Sequence, residues 1–187
     1  MDVILLIAAV FGLCFLVDKA FTKLFRSKKQ HRSGLSLRQN KRYGSMGMVL
    51  IAIGAAALVA SGGSKAVLVG GILLGLCGLG LTVYFLTSGI YYDDESFLVE
   101  AFGKKPVTYR YKEIVHQQLY VLQGGGIIVE LHMADGSAVQ VVSTMPDYDK
   151  FLSHAFNCWC KQKGIDPESC QFHDTANSCW FPEKEEG

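Results

Sequence analysis

Two periodicities divide the chain. Up to about residue 90 apolar residues come in long uninterrupted runs; beyond it they alternate with polar ones and then fall into helical spacing. Three of the runs are long enough to consider as membrane spans. The first, residues 3–17, would cover about 22 Å as a helix, short of a ~30 Å hydrocarbon core, and lengthens through Phe21, Leu24 and Phe25 to about residue 25. Residues 45–61 and 66–87 form the second and third, separated only by Gly62-Gly63-Ser64-Lys65, which predicts a helical hairpin.

Residues 96–145 read differently. "SFLVEAF", "VTYRYKEI", "HQQLYVLQ", "IIVELHM" and "AVQVVST" are strand-like segments separated by turn residues. In "IIVELHM", Ile127, Val129, Leu131 and Met133 share one face, as in a half-buried antiparallel strand. Asp135-Gly136 marks a tight hairpin turn. The period then changes. Tyr148, Phe151, Leu152, Ala155, Phe156 and Trp159 form a helical apolar stripe, with Thr144 as expected N-cap and Gly164 as stop. One further helical turn is expected from Asp166.

The expected organisation is a first transmembrane helix with its cytoplasmic extension (1–25), a basic loop (26–44), a transmembrane hairpin (45–87), an α+β domain (91–163) and a tail (164–187). The domain is expected to hold about five antiparallel strands closed by a C-terminal amphipathic helix.

Charge assigns sides to this plan. The chain's formal net charge of +1 conceals nine Lys/Arg against one acid in residues 18–45, and eight against fifteen in residues 91–187. By the positive-inside rule the 18–45 loop faces the cytoplasm. Three spans then leave the N-terminus outside and residues 88–187 cytoplasmic, in a multi-pass protein of the cell membrane. Tyr43 and the Tyr91-Tyr92 pair would mark the inner interface. Met1-Asp2 offers no positive charge for a signal peptide, and Leu13 before Cys14 does not suit a lipobox, so the first run reads as an uncleaved anchor.

The basic loop is explained by topology. Lys28, Lys29, Arg32, Lys41 and Arg42 would in addition attract anionic headgroups, whereas nucleic acid would require stacking aromatics that the loop lacks. Within the spans, Ala52, Ala56 and Ala60 recur every four residues, and Gly71 and Gly75 form a GxxxG pair. Either packing inside the hairpin or an oligomerisation face would use them. Span interiors without ionisable residues point to anchoring rather than transport.

No catalytic constellation is evident, and no enzyme activity, cofactor or metal is expected. The nearest metal-ligand candidates are Cys158, Cys160, Cys170, His173 and Cys179. Cys158 and Cys160, two apart on a helix, point about 200° from each other and cannot both face one ion without leaving helical geometry. Asp93-Asp94-Glu95 reads as a solvated boundary, and Gly124-Gly125-Gly126 as a hairpin turn rather than a phosphate loop.

The opening "DDESFLVEAFGKKPVTYRYKEI", the hairpin "GGGIIVELHMADGSAVQVVS" and the helix with Phe151, Phe156 and Trp159 together resemble the pleckstrin-homology-like (PH-like) domain of small bacterial membrane proteins. The resemblance covers residues 91–163, with five strands counted where the complete fold has seven. It implies a scaffold that binds a protein partner or its own copies. Lys104, Lys105, Arg110 and Lys112 occupy the place where eukaryotic members grip inositol phosphates. The −7 charge of residues 91–187, from eight cations and fifteen acids, opposes that use. A zinc-responsive module and an anionic-lipid sensor are the alternatives.

Overall fold

The computed structural model describes residues 29–183, apart from the side chain of His31. The expected first span, Lys28 and the end of the acidic tail lie outside the described residues. The chain forms two compact units. One comprises Asn40–Ser88 with Ala101–Gly103, and the other Lys29–Gln39, Gly89–Glu100 and the residues from Lys104 onward.

The first unit is a helical hairpin of α1, Lys41–Val59, and α2, Lys65–Thr87. Asn40 caps α1 by accepting the Arg42 amide at 3.0 Å, and glycines with positive φ at 62 and 63 make the turn. Their 19 and 23 residues extend about 28 and 35 Å, and both are apolar enough to cross a membrane. Only 17% of each apolar window is buried, whereas a core helix of a water-soluble protein would be mostly covered.

What α1 and α2 bury against each other is largely glycine. Gly47 faces Gly78, and Gly54 faces Gly71 and Gly75. A Cβ added at Gly54 would lie 2.7 Å from the Gly71 carbonyl oxygen, and one at Gly78 2.6 Å from that of Gly47. Small residues thus let two backbones approach as helices in lipid do. Of the expected packing residues, Gly71 is buried in this seam, while a Cβ on Gly75 would meet nothing within 4 Å. The alanine repeat does not form the seam: Ala52 is half-buried, and Ala56 and Ala60 are exposed.

Among the described residues, the second unit has seven strands in two antiparallel sheets. β1 (Leu35–Arg38), β2 (Gly89–Tyr92), β3 (Ser96–Glu100) and β4 (Val107–Arg110) form the first, in that order. β5 (Ile114–Val121), β6 (Ile127–Met133) and β7 (Ala138–Val142) form the second. Two strands are added to the five expected, and the boundary between two of the five moves. The loop segment Leu35-Ser-Leu-Arg38 is a strand, with Leu37 fully buried. Tyr91 and Tyr92, expected at the inner interface, lie in β2 and are buried in the domain. The expected strand "VTYRYKEI" breaks at a 3-10 turn, Tyr111–Glu113, where the chain passes from one sheet to the other. The domain therefore begins before the hairpin, and α1–α2 is inserted in the chain between two hydrogen-bonded neighbours, with Arg38 paired to Gly89.

Helix α3, Tyr148–Lys163, buries Phe151, Leu152, Ala155, Phe156 and Trp159 as the stripe requires. Its N-cap is Asp147, in a left-handed conformation (φ 63°), rather than Thr144. Gly164 (φ 70°) ends it in a Schellman turn, with the Ile165 amide donating to the Cys160 carbonyl at 2.9 Å. Asp166 starts the expected short turn, a 3-10 helix at Pro167–Ser169. The tail then returns to the core. Buried Gln117 of β5 accepts the amides of Trp180 and Phe181 at 3.1 Å each, and its own amide donates to Pro182 O at 2.7 Å. Those bonds seat Trp180 and Phe181 at 1% and 0% exposure, so the tail is part of the domain.

Candidate functional site

The turn between β2 and β3 carries three acids with three different fates. Asp93 is buried; its Oδ1 accepts the amides of Glu95 and Ser96, both at 2.8 Å, and so holds the turn closed. Asp93 Oδ2 is buried with no hydrogen-bond partner among the described residues. Asp94 is exposed and turns toward α3, while Glu95 pairs with Lys29 at 2.7 Å on the surface.

Opposite this turn stand His154 and Cys158, one helical turn apart on α3 and therefore on one face. His154 Nε2 is the hub. It lies 3.5 Å from Cys158 Sγ, 3.6 Å from Asp94 Oδ1 and 3.3 Å from the Asp93 carbonyl oxygen. The donor atoms of Asp94, His154 and Cys158 all lie within 4.8 Å of one another. Tyr111 donates its hydroxyl to the same Asp93 carbonyl at 2.5 Å. Tyr92, at 5.2 Å, and Tyr111, at 6.0 Å, pack their rings against the imidazole. Burial, reinforced by Asp94, pushes the Cys158 thiol up, so it is a protonated thiol at neutral pH and a poor nucleophile.

The expected ligand set is dispersed by the fold. Cys158 belongs to the cluster above. Cys160 is buried beside Cys170, and burial followed by that second sulfur pushes its thiol up to about 12. His173 stacks on Phe156 with ring centroids 4.0 Å apart. Cys179 lies 3.5 Å from Glu183, and burial raises its thiol too. Among the described residues, no other group of three or more His, Cys, Asp or Glu donors is spaced to share an ion. Two members of the cluster escaped the sequence-based set. The His154-x-x-x-Cys158 spacing is a one-face pair visible in the sequence, whereas Asp94 arrives only through the tertiary fold.

The basic residues are similarly sorted. Lys41 and Arg42 are exposed in the first turn of α1, Lys29 pairs with Glu95, and Arg32 is exposed. Lys104, Lys105, Arg110 and Lys112 are exposed around β4. The concavity beside β4, about 390 Å³, is lined by Glu113 and Asp135 together with Val107, Thr108, Tyr109, Met133 and Ala134. Two carboxylates and no cation in that lining disfavour a phosphate there.

The chain matches no family model, no curated protein and no solved structure.

Proposed function

We propose that the chain is a membrane-anchored, non-enzymatic protein whose α+β domain is PH-like and docks a protein partner, or a second copy, at the inner membrane face. The observation that carries this reading is the insertion of an apolar hairpin between paired strands β1 and β2. Two spans return the chain to the side it left, as the pairing of Arg38 with Gly89 requires. A single span or three at this position would place the paired strands on opposite faces of the membrane.

Seven strands followed by one C-terminal helix support that reading, since the complete PH-like fold has seven strands. Lys41 and Arg42 support the cytoplasmic assignment. Cations are unfavourable at a helix N-terminus, where the macrodipole is positive, and are favourable beside anionic headgroups. With the run at residues 3–17 as a third span, the N-terminus would be outside.

Docking is supported by the end of the β5–β6 hairpin, where Tyr120, Val121 and Leu122 are 42%, 80% and 41% exposed. Such neighbouring apolar side chains on an acidic, water-facing domain suit a protein surface. A photo-crosslinking residue in place of Val121 should trap a discrete partner or a dimer in native membranes. Absence of any adduct there, with adducts formed instead to lipid, contradicts the docking reading.

A further inference from the structure

We propose that Asp94, His154 and Cys158 form a binding site for a divalent transition-metal ion of the zinc type. The site is independent of the docking reading: it rests on the β2–β3 turn and α3 alone.

Spacing is the first support. Ligands at about 2.0–2.1 Å (N), 2.3 Å (S) and 2.0–2.2 Å (O) around a tetrahedral ion stand roughly 3.3–3.6 Å from one another. The observed 3.5 Å from His154 Nε2 to Cys158 Sγ and 3.6 Å from Nε2 to Asp94 Oδ1 match that separation. The third pair, Asp94 and Cys158, lies within 4.8 Å, and the exposed Asp94 side chain would turn inward to complete the set. His154 and Cys158 are fixed by the register of α3, and Asp94 by the Asx turn that Asp93 closes.

Donor chemistry selects the ion. A thiolate with an imidazole suits zinc, cobalt or a related borderline metal and is foreign to calcium or magnesium, which take oxygen. A thiolate and a carboxylate balance the two positive charges of the ion, and the thiol proton is released to solvent on binding. Imidazole Nε2 would give its lone pair to the metal, leaving the proton on Nδ1; the Asp93 carbonyl keeps the Tyr111 hydroxyl as its donor. The buried Asp93 carboxylate, with its unpartnered Oδ2, adds negative charge beside the site that a cation would offset. Three protein ligands leave a fourth position for water or an incoming group.

The experiment is cobalt titration of the full chain in detergent micelles, followed by zinc displacement. The expected result is thiolate-to-cobalt charge-transfer absorption that saturates at about one ion per chain and is abolished by zinc. Cys158→Ser should remove the absorption, and His154→Ala should weaken binding at least about tenfold. Asp94→Asn, an exposed change that leaves the core untouched, should also weaken it about tenfold, with unchanged tryptophan fluorescence as the control for folding. Cys170→Ser and Cys179→Ser should bind as the parent does. The proposal is overturned if the folded parent shows no thiolate–cobalt absorption. It is also overturned if the absorption survives Cys158→Ser, if Asp94→Asn binds unchanged, or if binding is lost on replacing Cys170 or Cys179.

Discussion

The helical hairpin and the α+β domain use opposite packing logic within one chain. In the hairpin the closest contacts are made by residues with no side chain, Gly47 on Gly78 and Gly54 on Gly71, while Leu73, Leu76 and Leu79 point outward at 58%, 62% and 55% exposure. In the domain the largest side chains are inside, Phe97, Tyr111, Phe151, Phe156, Trp180 and Phe181 among them, and charged residues cover the surface. Burying Leu against Leu gains little where the surroundings are already apolar, so close backbone approach is the remaining source of attraction. In water the same Leu would be driven inward at about 25 cal/mol per Å². The two patterns are those expected of an apolar and an aqueous surrounding, and the difference can be tested unit by unit.

The largest effect should come from the domain core. Phe156→Ala should lower the domain's stability in urea by about 3–5 kcal/mol, whereas Leu76→Ala, an outward hairpin change, should leave that transition unmoved. Leu37→Ala should cost about 2–5 kcal/mol in the same measurement, although Leu37 lies on the far side of the hairpin in sequence. Gly54→Leu should do the reverse of Phe156→Ala: the domain transition stays, and the helical circular-dichroism signal melts at lower temperature in micelles. Its Cβ has only 2.7 Å to the Gly71 oxygen, and neither neighbour there has a side chain to move aside.

Smaller is Gln117→Ala. It should cost about 1–3 kcal/mol by orphaning the Trp180 and Phe181 amides, and limited proteolysis should then release the tail first. The smallest concerns pH. Hydrogen bonds from the Ser137 hydroxyl and amide hold the Asp135 carboxyl below its usual range. A carboxyl depressed in the folded state contributes stability above its unfolded pKa and loses it as pH falls through the folded value. Asp135→Asn should therefore flatten the acid end of the stability profile slightly, and acid titrations of the two chains should converge at the lowest pH.

What the sequence disclosed follows the length of each signal. The 16 residues of α3 carry a repeated stripe, and both hairpin helices announce themselves by unbroken apolar runs. β1 has four residues and only two apolar ones, set in a basic stretch whose charge already had an explanation. β2, Gly-Ile-Tyr-Tyr, continues the apolar run of α2, so the passage from helix to strand leaves no change of composition. Pairing β1 with β2 requires closing a loop through the entire hairpin, which no local pattern reports. The candidate metal cluster was half legible for the same reason. His154 and Cys158 share a helix face by spacing, and Asp94 joins them through a contact 60 residues away in sequence.

The strand before the hairpin belongs to the sheet after it. Hydrogen–deuterium exchange on the full chain in lipid nanodiscs tests it directly, read over residues 35–38. Those amides should be protected to the degree seen in residues 89–92, and Leu37→Ala should loosen both segments together. Exchange at the rate of an unstructured loop over 35–38, with 89–92 still protected, would contradict it.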